Sequence, residues 1–482
     1  MMIIPGGLTL DFFPPHCLTP GYEEDVGRMV GRRALQALMM GWPDEGADDL
    51  TSWNVFRAVF MKRDPELLRG MRYAFQEGFD YIYTQLKAQQ LTSSQHEQAL
   101  LYLSSCLNLL PFSDITPHEF FKIPQYIHDE WCLVDYRVVP IELTPTSGFE
   151  KLFIADADRV FAYGLEPITH QQAEPHLIFM GTTYPAGQGF LTQIHTDFEA
   201  FETPGKRLYR SGHERITAWL SAQQKKVHVC GTSLGGALAL LLAIDQGNQL
   251  SRVDVLNPFR LYNPWRKSRY DHWDELCAEG TAPPVYIQKQ GYDPISACGG
   301  VWKKEFNILE VIPPESVKAR NALIDHALVY TGLRGTEFIP VDAEADNNAN
   351  SIKNYLVYVL LRSMIYYSGM LPYRYVMQPT FRYTTQHYLE IDVLVGEAFL
   401  LPLLPVLLAN WMIALTLCVL TFHLFQYIAD TAQILWGSNE VNPAALHHEG
   451  TKSFESHHFF SPSEADKVDD TELMEAGLVF SV

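Results

Sequence analysis

What the chain lacks narrows its chemistry first. It carries 36 lysines and arginines against 56 aspartates and glutamates, a formal net charge of −20. With no basic excess to neutralise phosphates, a nucleic-acid partner is not expected, and neither is purely electrostatic binding to an anionic membrane. The seven cysteines are odd in number and widely scattered, with no Cys-x-x-Cys pair. A disulfide framework and a cysteine metal site are therefore not expected; reduced thiols in a cytosol-like compartment are. The first residues, Met1-Met-Ile-Ile-Pro-Gly-Gly7, have neither the basic region nor the long apolar core of a secretory signal. No internal repeat interrupts the 482 residues, a length that suits two or three domains, each with its own core.

Residues 22–130 read as helices. Asp64-Pro65-Glu66 supplies an N-cap, a first-turn proline and an acidic first turn. From there Leu68, Met71, Phe75, Phe79, Ile82 and Leu86 recur at helical spacing and mark one continuous apolar face. Ser94-Gln-His-Glu97 reads as a capping box opening the next helix. Packing between helices accounts for these stripes better than a lipid groove does, and the region reads as a scaffold or cap over the later domain.

From Trp131 the pattern changes to strands alternating with helices, which predicts an α/β sheet with a parallel centre. Val134–Leu143 and Val160–Ala162 suggest an antiparallel opening pair; a buried apolar strand from His176 running into the Gly181-Thr182-Thr183 turn, the elbow strand with Val227 and Val229, and the segments Arg252–Leu256, Pro284–Lys289 and Phe306–Val311 come next. Between Tyr184 and Lys206 the sequence reads as a loop, and Glu214–Gln223 as a helix. The sharpest feature is Gly231-Thr-Ser-Leu-Gly235, set between a β-branched run and the helix formers Gly236-Ala-Leu-Ala-Leu240. In that setting G-x-S-x-G is a nucleophile elbow, which exposes Ser233 on a strained strand-to-helix turn. The elbow itself supplies one oxyanion donor, the N–H of Leu234.

These segments resemble the class 3 lipases, a triacylglycerol lipase branch of the α/β-hydrolases. Gly231-Thr-Ser-Leu-Gly-Gly-Ala-Leu-Ala239 is similar to that family's elbow, Phe179-Met-Gly-Thr182 to its oxyanion strand, and Gly291-Tyr-Asp-Pro294 to its late Asp-Pro segment. Met180 stands where the family usually has Arg, Thr232 where it most often has His, and Asn257-Pro-Phe-Arg260 matches its Gly-Ser-Pro-Arg only loosely. The resemblance, over roughly residues 135–335, implies an α/β-hydrolase core and a Ser-Asp-His triad in that chain order. Serine needs a base, and the base a carboxylate to orient it. Asp293 fits the carboxylate, ahead of Asp254, Asp271 and Asp274. His326 fits the base, with His387 in reserve; His195, His213 and His272 precede Asp293 and break the order. Thr182 is implied as the second oxyanion donor, and Tyr184–Phe201 lies where the family carries a lid.

Residues 398–429 contain no Asp, Glu, Lys or Arg over 32 positions, longer than the ~20 that a membrane-spanning helix needs. Pro402 and Pro405 leave Val406–Tyr427 as the best span, and a re-entrant hairpin or an apolar core helix are its alternatives. The domains read as 1–130 helical, 131–335 hydrolase-like, 336–396 linker and amphipathic segment, 397–430 membrane-associated, and 431–482 polar tail. Asp342–Asn350 reads as part of the linker. His447-His448 and His457-His458 lack the partners of a metal site. The expected activity is cleavage of lipid carboxylic esters by a membrane-associated lipase or phospholipase that needs no cofactor and no metal. Acyl transfer or thioester cleavage by the same triad, and an inactive membrane-tethered interaction protein, are the alternatives.

Overall fold

The computed structural model describes residues 3–18, 26–40, 65–115, 120–146, 158–182, 189–197, 203–261, 271–291, 293, 295–297, 300–315, 325–326, 329–349 and 366. The chain divides into two units, Met1–Phe425 and Gln426–Val482, and every described residue belongs to the first. The apolar run 398–429, His387 and the tail histidines lie outside the described residues. Among the described residues no helix is long and apolar enough to cross a membrane.

Among the described residues three α-helices come first: α1 (Val26–Met40), α2 (Pro65–Lys87) and α3 (Ser93–Leu109). The face read from the spacing in α2 is the buried one, with Met71, Phe75, Phe79 and Ile82 all at 0% exposure. The start of α3 differs from the sequence reading. Thr92 is the N-cap, and its hydroxyl accepts from Gln95 N–H at 3.3 Å while the Gln95 side chain accepts from Thr92 N–H at 3.0 Å. Glu97 is not part of that box, because its carboxylate is turned inward to accept from Arg252.

The expected helical region also ends early, at a strand. β1 (Phe120–Ile127) pairs antiparallel with β2 (Glu130–Glu142), Ile127 lying opposite Glu130 across a two-residue turn. His128 and Asp129 both have positive φ, 51° and 65°, as a type I′ hairpin requires. Asn-Gly is the usual signature of that turn; His-Asp hides it, so the hairpin is not legible in sequence.

Seven strands complete the sheet: β3 (Phe161–Pro167), β4 (His176–Phe179), β5 (Val227–Thr232), β6 (Leu250–Leu256), β7 (Val285–Gln290), β8 (Asn307–Ile312) and β9 (Glu337–Val341). They stand side by side in chain order from β1 to β9. β4 to β8 are parallel, and the strands on either side of that centre are antiparallel. The crossovers carry α4 (Phe190–Asp197) and α5 (Lys206–Ser221), then α6 (Leu234–Gln246), then α7 (Asp271–Glu279). The segment read as a loop between Tyr184 and Lys206 thus contains a helix, and the helix read from Glu214 begins at Lys206.

Right-handed crossovers that always step in the same direction place their helices on one face. The core obeys this. Val227, Val229, Val253 and Val255 pack with α5, α6 and α7, while Cys230 and Leu256, pointing the other way, pack with residues of α1, α2 and α3. The N-terminal helices therefore cover the sheet face that the crossovers leave bare, and α6, packed against β4, β5, β6, α5 and α7, is apolar on every side up to its last turn for that reason.

The hydrolase-like region runs beyond residue 335. β9 extends the sheet to Val341, and α8 (Ala343–Ala349) occupies what reads as linker. Its acidic character has an internal use: Asp346 accepts from Arg260 Nη2 at 2.7 Å, Trp302 Nε1 at 2.8 Å and Lys289 Nζ at 3.1 Å. A mixed sheet with a parallel centre, helices on both faces and a strand-turn-helix at its middle fits the α/β-hydrolase fold.

Candidate active site

The elbow is built as its residues demand. β5 ends at Thr232, Ser233 turns at φ 54° and ψ −121°, and α6 begins at Leu234. That backbone conformation is costly for an L-residue and persists only where its surroundings enforce it. Ser233 N–H donates to Leu256 O at 3.0 Å, tying the turn to the end of β6. The flanking glycines have no room for a side chain. A Cβ on Gly235 would lie 2.0 Å from the carbonyl oxygen of Phe179, and one on Gly231 would lie 2.3 Å from that of Gly235. The Leu234 N–H belongs to the first turn of α6, where backbone donors lack intrahelical partners and the helix dipole favours an anion.

The end of β4 runs beside this turn, since a Cβ on Gly181 would lie 3.5 Å from Ser233 Cβ. The next residue is Thr182. Its hydroxyl donates to Asp197 Oδ2 at 2.7 Å, so α4 holds Thr182 in place by a nearly buried carboxylate. Asp197 carries no sequence signal; it becomes visible only once α4 is placed.

Asp293 and His326 are brought together. His326 Nδ1 lies 2.7 Å from Asp293 Oδ1. A carboxylate can only accept, so Nδ1 carries the proton and Nε2 is left as the acceptor. Asp293 is fixed in turn, Oδ1 accepting from Ile295 N–H at 3.0 Å and Oδ2 from Ser296 N–H at 2.9 Å. Its side chain is 1% exposed and that of His326 is 21% exposed, which suits a buried orienting carboxylate and a base that a substrate can reach. Arg260, buried at 1%, donates from Nε to Ser296 O at 2.9 Å and so braces the Asp293 turn. Among the described residues Ser233 Oγ makes no hydrogen bond to His326.

The remaining candidates sit elsewhere. His213 pairs with Asp245 at 2.8 Å, His272 with Glu275 at 3.2 Å, and Asp274 with Lys303 at 2.7 Å, all near the surface. The side chains of His195 and Asp271 are outside the described residues. Asp254 belongs to a different cluster at the other end of the sheet.

That cluster contains a second serine, histidine and aspartate, and its geometry excludes a triad. Asp254 Oδ2 lies 2.8 Å from both Ser104 Oγ and His228 Nε2. The same imidazole nitrogen thus faces serine and carboxylate, and it must donate to the carboxylate, so it cannot accept the serine proton. His228 Nδ1 is occupied by His176 Nδ1 at 2.8 Å, and His176 Nε2 by Gln125 Nε2 at 2.8 Å. Burial alone would raise the Asp254 pKa; Arg252 and His228 overcome it and hold the carboxyl below the usual range. Burial, reinforced by His228, pushes the His176 pKa well down, so that imidazole is neutral. A cavity of about 290 Å³ beside the cluster, lined by Leu100, Leu103, Ile123, Gln125, His176 and Arg252 among others, lies at the strand starts, away from Ser233.

Among the described cysteines, Cys106 and Cys230 are buried and unpaired, Cys132 and Cys277 partly exposed and unpaired. Burial pushes the Cys106 and Cys230 thiols up, away from a reactive thiolate. No group of three or more metal-ligating side chains occurs among the described residues.

No family model and no curated protein matches the chain. Among solved structures it is similar to lipase II from Rhizopus niveus, at 14% identity over 56% of this chain and 96% of that one, with a TM-score of 0.27. It is also similar to a 2,6-dihydroxy-pseudo-oxynicotine hydrolase, at 12% identity over 56% of this chain and 82% of that one, with a TM-score of 0.20. Likenesses at this level carry no weight on function or on site residues.

Proposed function

We propose that this chain is a serine hydrolase that cleaves lipid carboxylic esters, with Ser233 as nucleophile, His326 as base and Asp293 as its orienting carboxylate. The observation that carries the reading is the strained Ser233 turn at the same sheet end as a histidine whose Nδ1 proton is committed to a buried aspartate. Ser233 Oγ attacks the acyl carbonyl while His326 Nε2 takes its proton and returns it to the departing alkoxide. The oxyanion is met by the N–H of Leu234 and that of Thr182. His326 Nε2 then takes a proton from water as its oxygen adds to the acyl-enzyme, and gives that proton to Ser233 Oγ as the bond to serine breaks and the fatty acid leaves. The catalytic imidazole closes on Ser233 when substrate fills the site; such hydrogen bonds are often loose without it. Lipid as the acyl source rests on the elbow's resemblance and on the uncharged run 398–429, which is proposed to hold the protein at a membrane.

A fluorophosphonate probe tests the chemistry. It should label the wild-type chain and not Ser233→Ala, and release of fatty acid from acyl esters of increasing length should be lost in the same variant. Equal labelling of Ser233→Ala, or no labelling of the wild type, removes the assignment.

A further inference from the structure

Asn257 comes directly after the last residue of β6 with φ 47°, a left-handed conformation that glycine and asparagine tolerate best. Glycine would fit that backbone, but it could not make the contacts that the side chain makes. The residue is 0% exposed, and its two amide hydrogens go to successive carbonyl oxygens, Asp325 at 3.0 Å and His326 at 3.1 Å. Its Oδ1 accepts from Gln290 N–H at 2.8 Å, and its own N–H donates to Gln288 O at 2.8 Å. Both amide hydrogens and the amide oxygen are in use. Only one orientation of the amide meets two carbonyls on one side and an N–H on the other.

These bonds join three elements. Gln290 is the last residue of β7, and Asp293 hangs from it, its N–H donating to Gln290 O at 3.1 Å. The Asp325–His326 backbone is the other end. Ser233 is bound to the same strand end, because its N–H donates to Leu256 O at 3.0 Å, one residue before Asn257.

We infer that Asn257 is the positioning residue of the site: its side chain fixes the backbone of His326 relative to both the Asp293 turn and the Ser233 elbow. The inference rests on the proposed roles of Ser233, His326 and Asp293. Asn257 touches no reacting atom and acts through His326. Aspartate would face two carbonyl oxygens with a carboxylate, glycine keeps the backbone and loses every side-chain bond, and serine keeps at most one donor.

The test uses the full chain and a short, soluble p-nitrophenyl ester. Folded Asn257→Gly should show kcat lower by about 10- to 100-fold with KM within about two-fold, the signature of a misplaced catalytic group. In a His326→Ala background the same substitution should change kcat less than about two-fold, because the residue through which it acts is gone. Asn257→Ser, a second variant with one donor left, should fall between glycine and wild type. Independently of activity, NMR of histidine-labelled protein should show the low-field Nδ1 proton of His326 weakened or lost in either variant. Wild-type kcat in a folded variant, or an equal loss with and without His326, overturns the inference while leaving the hydrolase reading intact. If Ser233→Ala still turns over the ester, the hydrolase reading falls instead, and an unchanged Nδ1 proton signal would then overturn the positioning role as well.

Discussion

At the scale of single residues, the site depends on close approaches of main chain. The Gly235 Cα faces the carbonyl of Phe179, where an added Cβ would lie 2.0 Å from oxygen. Backbone cannot swing aside as a flexible side-chain end can, so Gly235→Ala must push β4 from the elbow. The expected cost is about 3 kcal/mol of stability, at the upper end of ordinary overpacking. Phe179 lies three residues before Thr182, so the same shift should move the proposed oxyanion donor. Denaturant unfolding with fluorophosphonate labelling checks both; a Gly235→Ala protein of wild-type stability and labelling rate would contradict the packing argument. The elbow glycines are legible in sequence because the motif names them. Asn257 and Asp197 are not: Asn257 acts on His326, 69 positions away, and Asp197 meets Thr182 only because α4 folds back on the end of β4.

At the scale of elements, the β1–β2 hairpin carries a turn its residues do not favour. His128 and Asp129 both adopt positive φ, 51° and 65°. A non-glycine residue in that region costs roughly 1 kcal/mol, and Asn-Gly is the pair that relieves it. The double substitution His128→Asn and Asp129→Gly should therefore raise stability by about 1 kcal/mol and leave ester turnover unchanged, since the turn lies in the antiparallel edge of the sheet. A lowered thermal midpoint would show that His128 or Asp129 makes a contact outweighing the strain. The same element explains why the sequence reads as helix up to Trp131: the turn chemistry gives no signal, and Pro124 within β1 is unusual in a strand.

At the scale of the whole molecule, a buried polar cluster joins the N-terminal helices to the sheet. It holds Gln125, His176, His228, Asp254, Arg252, Ser104 and Glu97, and Tyr136 packs on His176 with ring centroids 5.1 Å apart. Burial lowers the His176 pKa from 6.5, so the folded state favours the neutral ring. In the window below about pH 6.5 the unfolded chain binds a proton that the folded one refuses. Stability is complete above that pH and falls by about 1.4 kcal/mol per pH unit as pH drops toward the depressed value. Asp254 has the same sign at lower pH: its depressed pKa contributes stability above about pH 4 that is lost on further acidification. Thermal midpoints between pH 7 and pH 5 should therefore decline, and His176→Gln should flatten that decline. An identical slope in wild type and variant would remove His176 as its source.

The sequence by itself determined what depends on neighbours along the chain. The apolar face of α2 comes from helical periodicity, the parallel centre from alternating strands and helices, and the Ser233 elbow from five consecutive residues whose backbone strain only glycine neighbours permit. Tertiary structure decided what depends on distant residues meeting. It assigned α1–α3 to the second sheet face, because one-directional right-handed crossovers leave that face uncovered. It turned the acidic stretch after Val341 into a helix whose Asp346 meets Arg260 and Lys289. It separated the Ser104, His228 and Asp254 cluster from a nucleophilic triad by showing which nitrogen faces which oxygen. It also brought Asp293 and His326 to hydrogen-bond distance, with Asn257 at the end of β6 bonded to Gln290 N–H on one side and to the Asp325 and His326 carbonyls on the other. Chain order could pair those residues but could not supply the amide that holds them, because a side-chain hydrogen bond extends about 3 Å and leaves no mark in sequence spacing.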